Sequence, residues 1–204
     1  MSHPYEYHNF VLYEIQKVAT SLTVLDAGCG LGIWGYLLRS SRRRNFTLIG
    51  LDIAPSYLSF VREKRVYDTL VRGEVSYLPF RDKAFDCVLA VEVIEHLPKD
   101  QGKKMLSELE RCCRGKIILT TPNGFKQQTN NEMPTETHRS GWTVRELRSA
   151  GFRVRGIGSR VFGLDRGDIV LSSVLHFITT PFAQVIPSLG EYLIATKCVD
   201  QRRQ

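Results

Sequence analysis

The stretch "VLDAGCGLGIWG", residues 24–35, joins a strand-like run to a helical pattern through closely spaced glycines. The predicted strand runs into Gly28, and Gly30 and Gly32 follow before a helix expected to begin at Ile33. Glycines at such a turn let a ligand lie against the backbone at the carboxyl end of the strand, where open α/β sheets bind their ligands. This loop therefore predicts a ligand site as well as a fold.

Strand-like runs alternate with helical patterns along most of the chain. The seven predicted strands lie at 23–28, 47–52, 69–74, 85–92, 116–123, 152–158 and 191–198, and the predicted helices at 33–39, 55–65, 100–113 and 144–150. Thr143 and Glu146 form a capping-box signature at the start of the last helix. This alternation predicts an α/β fold with a mostly parallel sheet and helices on both faces.

Length and composition favour one domain over residues 1–204, with an apolar insertion at about 165–190 before the last strand. Within the insertion, residues 169–189 contain no Asp, Glu, Lys or Arg. Such a length could cross a bilayer, but Pro181, Pro187 and the direct continuation into a strand argue against a transmembrane segment. We expect a buried or lid-forming excursion, and an apolar contact with a substrate, a partner or a membrane surface remains open.

The start of the chain has no basic segment followed by an apolar run, so we expect a cytoplasmic protein. Five scattered cysteines without a C-x-x-C pair indicate reduced thiols. The net charge is +7, and residues 139–166 hold seven arginines. That stretch could attract an anionic substrate or RNA, or it could be a solvated face.

An acidic residue, Asp52, closes the second predicted strand, where it can accept hydrogen bonds from ribose hydroxyls. One observation favours a nicotinamide dinucleotide as the ligand, because residues 30–35 satisfy the motif G-x-G-x-x-G. The first glycine of that motif should form the tight turn directly after the strand, however, and that position is Gly28. S-adenosylmethionine has no pyrophosphate, and Asp26 could bind its ammonium group directly or through water. A nicotinamide-dependent oxidoreductase and a non-catalytic S-adenosylmethionine-binding protein remain alternatives.

Four motifs, "VLDAGCGLG", "LIGLDIAPSYL", "VRGEVSYLPFRDKAFDCVLAVEVIEHL" and "GKIILTTPNG", resemble those of the class I S-adenosylmethionine-dependent methyltransferases, specifically the broad group that includes quinone-biosynthesis methyltransferases. The resemblance covers Val24 to Asn123. It implies a doubly wound, Rossmann-like, seven-stranded sheet whose last strand is antiparallel. It also implies methyl transfer from S-adenosylmethionine to an acceptor that the motifs do not identify. The acceptor could be a small molecule, methylated for example on oxygen, or it could be RNA.

The resemblance also implies eight cofactor contacts. They are Asp26, Gly28 and Gly30 at the methionine end, Asp52 at the ribose, Ile53, Glu74 and Val75 around the adenine, and Val91 near the methionine carboxylate or the transferring methyl. The family has aspartate and alanine where this chain has Glu74 and Val75. Glu74 keeps the expected role of accepting a hydrogen bond from the adenine amino group.

The stretch "VEVIEHL" places Glu92, Glu95 and His96 at i, i+3 and i+4, which is one helical face if a helix begins near Glu92. The spacing is similar to the metal-binding motif of the small-RNA 3′-terminal 2′-O-methyltransferases, whose fourth ligand is a histidine upstream of a tryptophan, as His138 is here. That resemblance implies Mg or Mn held by Glu92, Glu95, His96 and His138. The alternative is metal-free catalysis, with His96 as pocket residue or general base and His138 as second candidate.

Overall fold

The computed structural model describes residues 5–16, 18, 21–41, 45–158 and 182–199. Its strands are β1 Ser21–Ala27, β2 Asn45–Asp52, β3 Thr69–Arg72, β4 Phe85–Val91, β5 Cys113–Pro122, β6 Arg153–Ile157 and β7 Tyr192–Cys198. They form one sheet in the order β3-β2-β1-β4-β5-β7-β6. Strand β7 is antiparallel to β5 and β6, and the remaining pairs are parallel. The predicted sheet, mostly parallel with an antiparallel last strand, is confirmed.

The helices occupy the connections between the strands. They are α1 Tyr5–Gln16, α2 Ile33–Ser40, α3 Pro55–Lys64, α4 Lys99–Cys112 and α5 Val144–Ser149, with 3-10 turns at Ile94–His96, Pro134–Glu136 and Pro187–Leu189. Pro55 begins α3, where its fixed φ suits the first helical position. The capping box is confirmed, since the Thr143 hydroxyl accepts from the Glu146 N–H and the Glu146 carboxylate accepts from the Thr143 N–H.

The sheet is covered on both faces because side chains alternate along each strand. On β1, Val24 belongs to the apolar cluster that includes α1 and α2, while Leu25 belongs to the cluster that includes α4 and α5. The five cysteines are free thiols, and four of them are buried. This doubly wound arrangement leaves the carboxyl ends of the parallel strands open to a ligand.

The condition under which Glu92, Glu95 and His96 would share one helical face is not met, because no α-helix begins near Glu92. Glu92 has φ +54°, in the left-handed region, and only the single 3-10 turn Ile94–His96 follows it. The cause is tertiary, because the backbone N–H of Glu92 donates to Thr120 of β5 instead of starting a helix. Pro98 then sets the start of α4 at Lys99.

Most of the predicted apolar insertion falls at 159–181, outside the described residues. Its end is described, and there Phe182, Val185 and Ile186 are exposed while Ala183 is buried. Among the described residues, no helix is long and apolar enough to cross a membrane.

Candidate active site

The glycine loop after β1 has the backbone that its sequence requires. Gly28, Gly30 and Gly32 have φ of +83°, +48° and +81°, which L side chains rarely adopt. A Cβ on Gly28 would also lie 2.6 Å from the Val93 side chain. A Cβ on Gly30 would meet nothing within 4 Å, so the space in front of this residue is open to a ligand.

The carboxylate of Asp52 is fixed at the end of β2 by two backbone groups. One oxygen accepts from the Gly30 N–H at 2.8 Å and the other from the Ala54 N–H at 2.9 Å. Each oxygen has a second lone pair, which can accept a hydroxyl hydrogen. Asp52 is therefore held beside the glycine loop with acceptor capacity for two neighbouring ribose hydroxyls.

A cavity of about 870 Å³ runs along the carboxyl ends of the central strands. Seven of the eight predicted cofactor contacts line it: Gly28, Gly30, Asp52, Ile53, Glu74, Val75 and Val91. The four predicted metal ligands line it too: Glu92, Glu95, His96 and His138. The groups expected to bind the cofactor and those expected to act on the acceptor thus share one cavity.

Asp26 is the predicted contact that does not line the cavity. It is 3% exposed, one carboxylate oxygen accepts from the Tyr67 hydroxyl at 2.5 Å, and the other has no partner among the described residues. Burial raises the pKa of Asp26 to about 7, the Tyr67 hydrogen bond opposes this, and the charge of Asp52 adds to it. Its contact with the cofactor stays a prediction. Tyr67 was not singled out from the sequence, and it also accepts from the Gly35 N–H.

His96 and His138 lie side by side, with ring centroids 4.9 Å apart. Nδ1 of His138 is 2.6 Å from the carbonyl oxygen of Lys126, and Nδ1 of His96 is 3.4 Å from that of Thr137. A carbonyl can only accept, so each Nδ1 carries the hydrogen and each Nε2 is left as an acceptor. Burial lowers the pKa of His96, with a further contribution from His138, which keeps the His96 imidazole neutral near pH 7.

Glu95 completes a group of three with these histidines. One ligand atom from each of Glu95, His96 and His138 lies within 4.8 Å of the others. Glu95 is 1% exposed, and neither carboxylate oxygen has a hydrogen-bond partner among the described residues. Burial raises its pKa well above the ordinary value, and the charge of Glu92 raises it further, while the nearby Thr121 hydroxyl opposes the rise.

Glu92 lies on the cavity wall but outside this group of three. Its carboxylate accepts from the Thr120 hydroxyl at 3.0 Å. The structure therefore brings three of the four predicted metal ligands to one point and holds Glu92 against β5. The four-ligand metal site stays a prediction.

His138 reaches His96 because the chain after it is attached to the Ile94–His96 turn. The carbonyl of Glu95 accepts from the N–H groups of Arg139 and Ser140, at 2.7 and 3.0 Å. The Ser140 hydroxyl donates to the carbonyl of Ile94, and the Trp142 indole N–H donates to the Ser140 oxygen. We call these contacts the Glu95 clamp.

Other cavity residues carried no recognisable sequence signal. Tyr57 of α3 donates its hydroxyl hydrogen to the Glu136 carboxylate, which joins the two sides of the cavity. Lys126 forms an ion pair with Glu191 at 3.0 Å on another part of the wall. Helix α1 contributes His8. These residues come from distant parts of the chain, and only the fold brings them together.

Comparison with known proteins agrees with this architecture. Residues 24–116 match the model of a family described as "Methyltransferase domain". A curated relative, a probable S-adenosylmethionine-dependent methyltransferase of Mycolicibacterium smegmatis, is 30% identical over 72% of this chain. The match covers 58% of that relative, so the chain spans little more than half of its length.

Two solved structures share the fold. A S-adenosylmethionine-dependent methyltransferase from Archaeoglobus fulgidus has a TM-score of 0.61 at 20% identity, covering 94% of this chain and 93% of its own. The methyltransferase domain of bacterial CtHen1 has a TM-score of 0.62 at 19% identity, covering 96% and 98%. At these identities the likeness concerns the fold alone. The matched family and the curated relative support a class I S-adenosylmethionine-dependent methyltransferase, and the fold of the two solved structures agrees with this.

Proposed function

We propose that this protein transfers the methyl group of S-adenosylmethionine to a hydroxyl oxygen of an acceptor held against Glu95, His96 and His138. One observation carries the proposal: these three side chains line the same cavity as Gly30 and Asp52. The cavity volume, about 870 Å³, is in the range of small-ligand sites, which favours a small-molecule acceptor. RNA is the second acceptor class, supported only by the net charge of +7.

The residues at the cofactor end would bind and orient rather than react. Asp52 would accept hydrogen bonds from the ribose hydroxyls, and Ile53 and Val75 would contact the adenine on its two faces. Gly30 leaves room for the cofactor backbone to approach. Methyl transfer from a sulfonium is a direct displacement, so holding the acceptor oxygen, methyl carbon and sulfur in line is the main contribution of the protein.

The acceptor proton needs a base, and His96 fits that role. Its Nε2 has no hydrogen, and its lowered pKa keeps it neutral and able to accept a proton near pH 7. S-adenosylmethionine would supply the methyl group and keep its sulfur as a neutral thioether, while Nε2 of His96 would take the proton of the acceptor hydroxyl. The positive charge of the imidazolium that results would favour ionisation of Glu95, which lies within 4.8 Å, and the carboxylate would stabilise the imidazolium in turn.

A divalent cation is the second candidate, and the carboxylate of Glu95 favours it. A buried charge without a hydrogen-bond partner is costly, and a cation would supply the missing partner. Carboxylate and imidazole ligands together suit Mn and, less well, Mg. Such an ion would lower the pKa of a bound hydroxyl. Glu95, His96 and His138 would hold it, with Glu92 beside them as the fourth predicted ligand.

Calorimetric titration with S-adenosylmethionine and NADH, followed by turnover assays, tests the proposal. We expect binding of S-adenosylmethionine only, and methyl transfer to members of a panel of small hydroxyl compounds. Binding of NADH instead would overturn the assignment, and binding without turnover on the panel or on RNA oligonucleotides would favour a non-catalytic protein. Turnover that stops with chelator and returns with Mn or Mg would favour the cation, whereas turnover insensitive to chelator would favour His96 as base.

A further inference from the structure

A second groove, of about 630 Å³, lies between α5 and the segment before β7. Its lining contains no acidic residue and consists of Val144, Arg145, Arg148, Ser149, Val185, Ile186, Pro187 and Ser188. We call it the basic-apolar groove. It shares no lining residue with the active-site cavity.

The two arginines of the groove are not engaged by described parts of the protein. Neither guanidinium has an ion pair or hydrogen bond to a residue within 5–158 or 182–199 that the structure describes. Glu146, the acidic residue between Arg145 and Arg148 in the chain, is committed to Lys99 at 2.8 Å and to Thr143. Arg145 and Arg148 therefore present positive charge to whatever contacts the groove.

Two exposed apolar side chains of the groove lining, Val185 and Ile186, lie in the segment before β7, and Phe182, which precedes them in the chain, is also exposed. Phe182 is 59% exposed, Val185 81% and Ile186 49%. Apolar groups grouped in this way on a surface indicate a contact site rather than ordinary surface composition. These side chains belong to a stretch of sequence, residues 169–189, that contains no Asp, Glu, Lys or Arg.

We propose that the basic-apolar groove docks this protein on an anionic membrane surface. Phe182, Val185 and Ile186 would enter the interface between headgroups and acyl chains, while Arg145 and Arg148 would contact the headgroup anions, which is the pattern of peripheral membrane proteins. RNA would use the arginines but would leave the apolar side chains in water. A second copy of the chain would bring like charges together across a two-fold interface.

The groove is fixed to the strand that carries the cavity wall. The side-chain amide of Asn123 donates to the carbonyl of Gly190 at 2.7 Å and to that of Ser188 at 3.2 Å. Asn123 follows Pro122, which lines the active-site cavity. Docking through the groove would hold the cavity at a fixed position near the membrane, where amphiphilic acceptors concentrate.

Co-sedimentation of the full chain with vesicles tests the proposal. We expect binding to phosphatidylcholine vesicles that contain about 30% phosphatidylglycerol, weakened by about 0.5 M salt, and no binding to phosphatidylcholine alone. Each arginine near an anionic surface contributes about fivefold in affinity, so loss of the two positive charges in Arg145→Glu with Arg148→Glu should weaken binding at least about 25-fold, and the added negative charges should weaken it further. Val185→Asp with Ile186→Asp should weaken it about tenfold or more.

The matched control changes an exposed aromatic residue and an exposed arginine on α3, Phe60→Asp with Arg62→Glu, and should leave vesicle binding unchanged. Thermal melting and S-adenosylmethionine titration of every variant establish that it is folded, and they keep this test separate from the proposed catalysis. The proposal is overturned if the protein does not bind anionic vesicles, or if both groove variants bind like the control. If the protein forms a concentration-dependent dimer that the apolar variant loses, the membrane proposal is overturned in favour of self-association. If the protein binds RNA and the arginine variant alone loses this binding, the membrane proposal is overturned in favour of RNA.

Discussion

Two acidic residues, Asp52 and Glu95, line the active-site cavity and differ in what surrounds them. Both oxygens of Asp52 accept hydrogen bonds from backbone N–H groups, whereas neither oxygen of Glu95 has a described partner. In the proposed binding mode, the protein has completed the cofactor end by itself, and it leaves the acceptor end incomplete. This difference indicates that Asp52 serves recognition of one fixed ligand, and that Glu95 awaits a proton, a cation or an acceptor.

The incomplete end has a cost in stability. A buried carboxylate without partners is unfavourable by a few kcal/mol when charged, so the pKa of Glu95 rises instead. Destabilising groups of this kind are common in active sites, because a side chain whose hydrogen bonds are all made within the protein is less available to a substrate.

The largest expected effect concerns the histidines at the incomplete end. His96→Ala should lower turnover by about 10²- to 10⁴-fold, since this is the usual contribution of a general acid or base. His138→Ala should also lower turnover, and the dissociation constant for S-adenosylmethionine should change less than about twofold in both variants. Steady-state kinetics and calorimetry measure the two quantities. His8→Ala removes a third histidine of the cavity wall and should be mild, so an equal loss in this variant would contradict the assignment.

The next effect belongs to the completed end. Asp52→Asn exchanges one acceptor oxygen for a donor beside the Gly30 N–H, and it removes charge-assisted hydrogen bonds to the ribose, so affinity for S-adenosylmethionine should fall about 10- to 100-fold. Glu95→Gln is the matched substitution at the other end. It should lower turnover while leaving that affinity within about twofold. Equal losses of affinity in both variants, measured by calorimetry, would remove the distinction between the two ends.

A smaller effect depends on pH through Asp26, whose pKa is raised to about 7. Between its ordinary value of 3.8 and 7, the folded protein holds a proton that the unfolded chain has released, so stability without ligand falls as pH rises through this window. If the ionised form binds the cofactor ammonium group, affinity should rise about fivefold from pH 6 to pH 7, as the ionised fraction rises. Asp26→Asn should remove this dependence, and a pH profile unchanged in that variant would exclude Asp26 from cofactor binding.

The smallest effect is expected at Glu92. Glu92→Gln retains an oxygen that can accept from the Thr120 hydroxyl, so turnover should change by less than about threefold if Glu92 lies outside the reacting group. A loss of metal affinity or turnover of tenfold or more, measured with Mn present, would instead include Glu92 among the ligands.

The sequence was a good guide where local pattern decides the structure. Short strand-like runs between helical patterns predicted the strands, and the capping box at Thr143 was correct because its hydrogen bonds join residues three apart. The place of Asp52 at the end of the second predicted strand predicted that it would lie near the glycine loop, since parallel strands end at the same edge of the sheet, and the family resemblance added Ile53 and Val75.

Local pattern failed where distant contacts decide. The spacing of Glu92 and Glu95 suggested one helical face, but the hydrogen bonds of Glu92 to Thr120 turn the chain out of a helix. The two glutamates are still close enough for Glu92 to raise the pKa of Glu95, but successive turns of a helix do not bring them together. His138 was named from a family resemblance, and its position depends on hydrogen bonds to the Glu95 carbonyl that no spacing rule contains. Tyr57 and Glu136 meet across 79 residues, and nothing local connects them.

The Glu95 clamp has a consequence for the direction in which ligands enter and leave. Lifting the chain at Arg139 and Ser140 would break two backbone hydrogen bonds to one carbonyl, together with the bond from the indole of buried Trp142. Tyr57 and Glu136, which also line the cavity, are joined through side chains, which can rotate apart without moving the backbone. We therefore expect spent cofactor to be exchanged past Tyr57, while the histidine wall keeps its shape from one turnover to the next.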